Sequence, residues 1–174
     1  MTETRAQSTY QVRLGWGQTG LTHLAAAEVV VVVDALGTST DLIDGALALP
    51  HAPTVFVASL RNAAATAAAI HAEQLARGGR TAINLVLAGD GGAFAVEDYL
   101  VAGAIGDELT SRGIDHTAPD LAVAIEGFRP LTRAVKHLIS ASAAGLAARA
   151  EGNAEAVRAA GELNAESEAQ RIER

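Results

Sequence analysis

The apolar positions of this chain follow two rhythms. Positions 29–33 are five consecutive valines. Branching at Cβ stiffens an extended backbone, and a run with no polar alternation predicts a strand buried on both faces. Residues 55–58 and 81–88 read the same way, and 10–14 alternates as Tyr-Gln-Val-Arg-Leu, a shorter strand. Residues 60–77 are Ala-rich and stop at Gly78-Gly79, which predicts a helix with a glycine end. A second helix is predicted over 96–112, where Glu97-Asp98 suits the positive end of the dipole. Residues 41–49 read as a helix broken by His51-Ala52-Pro53, and 130–145 as another. Two stretches stay open: 19–27 as a short helix or loop, and 118–127 as a short helix or extended run. The chain from 147 onward is rich in Ala, Glu and Arg, which predicts a helical tail that frays from about 165. Strands alternating with helices are the grammar of a layered α/β domain. No repeat or linker divides the chain, so 1–174 is expected to form a single domain.

Composition narrows this picture. The 174 residues are 49% hydrophobic but only 3% aromatic, so the core must be built from Ala, Val, Leu and Ile. A net charge of −7 disfavours nucleic acid as a partner, since phosphate backbones need clustered Lys and Arg. One local positive pocket would still hold a small anion. With no cysteine, disulfides and thiolate chemistry are excluded. The opening Met-Thr-Glu-Thr-Arg-Ala-Gln-Ser-Thr lacks the apolar core of a signal peptide. The apolar runs are too short or too broken to span a bilayer. A soluble cytoplasmic protein without membrane partners is expected, and the Ala- and Arg-rich style suggests a high-GC bacterial source.

Three strand-end loops carry the polar residues of interest. Asp34 follows the valines directly, with Thr38, Ser39 and Thr40 close behind. Ser59, Arg61 and Asn62 follow the second buried strand. Gly89-Asp90-Gly91-Gly92 follows the third and precedes Glu97 and Asp98. If the strands are parallel, all three loops share the carboxyl edge of the sheet, where open α/β sheets bind ligands. Asp34, Asp90, Glu97 and Asp98 would then offer hard oxygen ligands of the kind Mg²⁺ takes. Arg61 and backbone N–H groups at helix starts would hold a phosphate or sulfonate. Each feature also has a structural reading: Asp34 and the hydroxyls as helix caps, Ser59 as an N-cap, Glu97-Asp98 as dipole complements. The five histidines show no metal-ligand spacing, no P-loop signature is present, and no Gly-x-Ser-x-Gly elbow occurs.

The segments Tyr-Gln-Val-Arg-Leu-Gly-Trp-Gly-Gln-Thr-Gly (10–20) and Val-Val-Val-Val-Asp-Ala-Leu-Gly-Thr-Ser-Thr (30–40) resemble the opening of the 2-phosphosulfolactate phosphatase family. Val-Phe-Val-Ala-Ser-Leu-Arg-Asn-Ala-Ala (55–64) resembles that family's Ser-Leu-Arg-Asn-Ala segment. Residues 88–103 resemble its Gly-rich loop with the following Glu-Asp and Ala-Gly. The resemblance implies a three-layer α/β/α fold with a largely parallel or mixed sheet. It also implies a Mg²⁺-dependent phosphatase that acts on a small anionic phosphoester such as 2-phosphosulfolactate, on a route toward coenzyme M. On this reading Asp34 and Glu97 are catalytic, and Asp34, Asp90, Glu97 and Asp98 ligate the metal. Thr38, Ser39, Thr40, Ser59, Arg61, Asn62, Gly91 and Gly92 bind substrate. Residues 41–54 fill a gap where the family carries a longer segment. That shortening raises the alternative of an inactive homologue kept as an anion-binding or protein-interaction scaffold. It would also leave an apolar edge open to homo-oligomer formation.

Overall fold

The computed structural model describes residues 4–173. Five strands form one mixed sheet: β1 (Val12–Trp16), β2 (Val29–Val33), β3 (Thr54–Ala58), β4 (Ile83–Leu87) and β5 (Gln170–Ile172). Their spatial order is β1-β4-β2-β3-β5, with every pair parallel except β3 and β5. The valine run is the centre of this sheet, and all five valines are fully buried. Their alternation assigns them to two different cores. Val29, Val31 and Val33 face one apolar cluster, while Val30 and Val32 face the other.

The larger cluster lies under α3 (Ala63–Arg77), α4 (Val96–Ser111) and α5 (Pro119–Leu131). It is extended by α6 (Val135–Ala141), α7 (Ala143–Ala150) and α8 (Ala154–Ala160), of which α6 and α8 bury Val135, Ile139 and Val157 in it. On the opposite face Leu21 and Leu24, from α1 (Gly17–His23) and its C-cap, pack with Leu42 and Ala46 of α2 (Thr40–Leu47). Three layers result, as the family resemblance implies.

The register positions the site. Trp16 pairs with Leu87, Leu87 with Val33, and Val33 with Ala58. The last residues of the four parallel strands therefore stand in one row, and the loops after them crowd one edge. The chain steps outward from β2 to β3, then returns to place β4 on the other side of β2. A crevice opens outside the carboxyl ends where such a sheet reverses direction.

Several expectations are corrected. The helix expected over 60–77 begins with a 3-10 turn at Leu60–Asn62, because a capping box there ends one element and starts the next. The open stretch at 118–127 is α5, started by Pro119 at its first position and carrying Pro130 near its end. The helix expected over 130–145 is divided by a 3-10 turn at Thr132–Ala134 and by Ser142, which caps α7. The helical tail expected from about 165 is instead the edge strand β5, held by pairing with β3. Tertiary pairing here overrides local helix propensity.

Candidate functional site

Asp34 is the first residue beyond β2. Its carboxylate accepts the backbone N–H of Leu36 at 3.2 Å and of Gly37 at 2.6 Å. The second oxygen accepts the Ser39 hydroxyl at 2.6 Å. A hydroxyl has one proton, so Ser39 gives it to Asp34 and keeps only lone pairs for other partners. Ser39 stands at the N-cap of α2 yet makes no side-chain cap bond. Asp34 has captured the group that would have capped the helix.

Asp98 ties two strand-end loops together from the first turn of α4. One oxygen accepts the N–H of Ala35 and the other that of Gly89, each at 2.8 Å. The side chain is 3% exposed. Burial pushes its carboxyl up to about 6. The two N–H bonds oppose that rise, and the charges of Asp34 and Glu97 add to it. Asp98 is therefore a brace between the β2 and β4 loops and titrates close to neutrality.

Above this brace lies a cleft of about 630 Å³. Thr38, Ser39, Thr40 and Asp41 form one wall, and Gly17, Gln18 and Thr19 at the start of α1 form the opposite one. Ala88, Gly89, Gly91 and Gly92 close the third side. Neither α1 nor α2 has a side-chain N-cap, but at α2 the N–H groups of Thr40, Leu42 and Ile43 already donate to the Thr38 and Ser39 carbonyls, which leaves the Asp41 N–H facing outward. Gly17 makes the closure possible. Its φ is +54°, and a Cβ there would lie 2.9 Å from the Gly92 Cα. No Lys, Arg or His lines the cleft. An anion here meets threonine hydroxyls and the Asp41 N–H.

The expected site residues separate into those that converge and those that do not. Asp34, Thr38, Ser39, Thr40, Gly91 and Gly92 meet at or beside the cleft, with Asp98 braced behind them. Ser59 and Asn62 form a capping box instead: the Ser59 hydroxyl accepts the Arg61 N–H, and Asn62 accepts the Ser59 N–H at 2.9 Å. Arg61 lines neither this cleft nor the cavity beside it. Its guanidinium pairs with Glu162 and Glu166, each at 2.7 Å, and also donates to the Ala159 carbonyl. The expected anion-binding arginine is a clamp on the C-terminal segment.

Glu97 and Asp90 face the neighbouring cavity, not the cleft. The four carboxylates expected to share a cation are thus divided. Asp34 and Asp98 are occupied by N–H and O–H donors, and no group of three or more His, Asp or Glu side chains among the described residues is disposed to hold a metal. Residues not singled out from sequence also shape the cleft: Trp16 to Thr19, and Asp41. The available signal was Gly15-Trp16-Gly17, which reads as a tight turn but is the end of a parallel strand leading into a helix.

A family model described as 2-phosphosulpholactate phosphatase matches residues 38–167 of the 174. The chain belongs to that family. No match is found among curated proteins. No helix among the described residues is long and apolar enough to cross a membrane.

The donor set bears on the magnesium ion that the family resemblance implies. Mg²⁺ is commonly held by one or two carboxylates, with the substrate's phosphate and water completing its shell. The cleft offers one carboxylate, Asp41, among hydroxyl oxygens. That set fits an ion arriving with a phosphate and does not fit an all-protein cage.

Proposed function

We propose that this protein is a phosphoric monoester hydrolase that binds a small phosphoester in the cleft between the β1, β2 and β4 loops. Family membership supports the reaction class. The observation that carries the site is the Asp34–Ser39 contact, a carboxylate and a hydroxyl 2.6 Å apart at the rim of a pocket made of helix starts and glycines. The Ser39 oxygen accepts a proton from water on its cleft side while its own proton passes to Asp34. The water oxygen forms a bond to phosphorus, the bond from phosphorus to the ester oxygen breaks, and the proton goes to the departing alkoxide. Thr38 and Thr19 donate to the phosphate oxygens, beside the backbone N–H of Asp41. Asp98 keeps the two loops at their working separation. Asp41 is the protein carboxylate for Mg²⁺, which when bound offsets phosphate charge and polarises phosphorus.

The test is release of inorganic phosphate from 2-phosphosulpholactate and from a small aryl phosphate, with and without Mg²⁺. Turnover is expected, and Asp34→Asn is expected to lower kcat by roughly 10²–10⁴, the usual range for a removed general base. Asp41→Asn is expected to raise the Mg²⁺ concentration needed for half-maximal rate. Absence of turnover with any divalent ion overturns the reading and favours a scaffold that binds anions without hydrolysing them.

A further inference from the structure

The two edges of the sheet end differently. Beyond β1 the edge is closed. The Val12 N–H donates to the His116 carbonyl at 3.1 Å, and the Ala118 N–H donates to the Val12 carbonyl at 2.8 Å. The Gln7 side chain accepts the Leu14 N–H at 3.0 Å and donates to the Leu14 carbonyl at 2.9 Å. Beyond β5 nothing among the described residues takes the corresponding backbone groups. An open edge is a template for another strand.

Strand alternation fixes which groups are open. The Thr54 N–H donates to the Glu28 carbonyl and the Asp34 N–H to the Ala58 carbonyl, so Thr54, Phe56 and Ala58 turn their backbone groups to β2. Val55 and Val57 therefore turn theirs to β5, opposite Ile172 and Gln170. Arg171, between those two, directs its N–H and C=O away from the sheet. Glu173 follows the same alternation. The two side chains also share a face: Arg171 reaches Glu73 on α3 at 2.7 Å and lies 3.7 Å from Glu173. Ile172 points to the other face and packs against the cluster that holds Val55.

We propose that β5 is the contact between two copies of this chain: it pairs antiparallel with β5 of a second copy about a two-fold axis at Ile172, making one sheet continuous through both. The edge is self-complementary in that register. Arg171 stands opposite Glu173 of the partner subunit, and Glu173 opposite Arg171 of the partner subunit. Each pair exchanges both of its N–H···O bonds, and its opposite charges attract. The two Ile172 side chains meet at the axis, at the closer spacing of a non-hydrogen-bonded pair. Centring the axis on Arg171 or on Glu173 instead sets like charges opposite each other. Centring it between residues matches open groups against residues whose own already bond β3. Charge and hydrogen bonding thus select the same register.

Sedimentation equilibrium of the full chain, diluted from millimolar to low-micromolar concentration, tests the pairing. A dimer that dissociates on dilution is expected, because the strand is short. Glu173→Arg is the first variant: the Glu173 side chain is 86% exposed and makes only the long contact to Arg171, so the monomer keeps its fold. Its dissociation constant is expected to rise at least about tenfold, since both cross-strand pairs become like-charged. Arg171→Glu is expected to show the same loss. An equimolar mixture of the two variants is expected to regain the dimer, because every pair in the mixed dimer is again of opposite charge. That recovery also shows that both variants fold. In the native chain, amide exchange at Arg171 and Glu173 is expected to slow as concentration rises. A chain that stays monomeric throughout the series overturns the proposal. So does a dimer that Glu173→Arg leaves as tight as before, or a mixture that associates no better than its components.

Discussion

At the residue scale, the two neighbours Glu97 and Asp98 show how one step along a helix changes a role. Successive side chains on a helix point about 100° apart. Asp98 turns into the loops and braces Ala35 and Gly89, while Glu97 turns into the cavity beside the cleft. The pair is legible in the sequence as acid at a helix start, but the division of labour is not. Asp98 makes a prediction about pH. An ordinary aspartate ionises near 3.8, and this one near 6 in the fold. Between those values the folded state holds a proton that the unfolded chain has lost. The stability tied to this group is therefore complete below about pH 4 and is lost as pH rises through about 6. At roughly 1.4 kcal/mol per pKa unit, the loss by neutral pH is about 3 kcal/mol. Asp98→Asn removes the titration, and its amide accepts only one of the two N–H groups. Urea denaturation in metal-free buffer from pH 4 to 8 is expected to show the stability advantage of the native chain over the variant shrinking as pH rises. An advantage that stays constant across that range contradicts the assignment.

At the scale of elements, α4 shows what an Ala-, Gly-rich helix is for. It buries Leu100 through Ile105 without a break, so it runs through the core instead of over it. Gly103 sets its distance to α5: a Cβ there would come within 2.4 Å of the Ala124 carbonyl oxygen. Both partners of that clash are backbone-bound, so relief requires moving a helix. Gly103→Ala is expected to destabilise by about 1–3 kcal/mol or more through overpacking. Gly127→Ala, on the facing helix, meets nothing within 4 Å. It is expected to be neutral or to stabilise by about 0.5–1 kcal/mol, because alanine costs less backbone entropy in a helix. Chemical denaturation of the pair distinguishes helix spacing from composition. The sequence predicts a helix over 96–112 and leaves 118–127 open, and only the packed structure tells which glycine is indispensable.

At the scale of the whole molecule, the C-terminal segment closes the fold. Arg61 holds Glu162 and Glu166, the Asn164 side chain accepts the Ala64 N–H at 2.9 Å, and β5 then pairs with β3. The Ser-Leu-Arg-Asn segment is therefore a dock for a stretch of chain about a hundred positions away in sequence. Arg61→Gln is expected to leave the KM for phosphoester unchanged and to increase proteolytic cleavage and amide exchange between 159 and 173. A large rise in KM with an intact C-terminal segment would return Arg61 to the substrate.

The sequence by itself determined the layers, the doubly buried central strand and the edge at which the loops gather, because these follow from the period of apolar residues and the order of elements. It also placed Asp34 and the Thr-Ser-Thr run at that edge. Only the tertiary structure decided which side chains share a pocket. Arg61 pairs with Glu162 and Glu166, Asp34 accepts the Ser39 hydroxyl, and Glu97 faces the cavity beside the cleft. Such pairings depend on distances between segments remote in the chain, and local pattern carries no record of them.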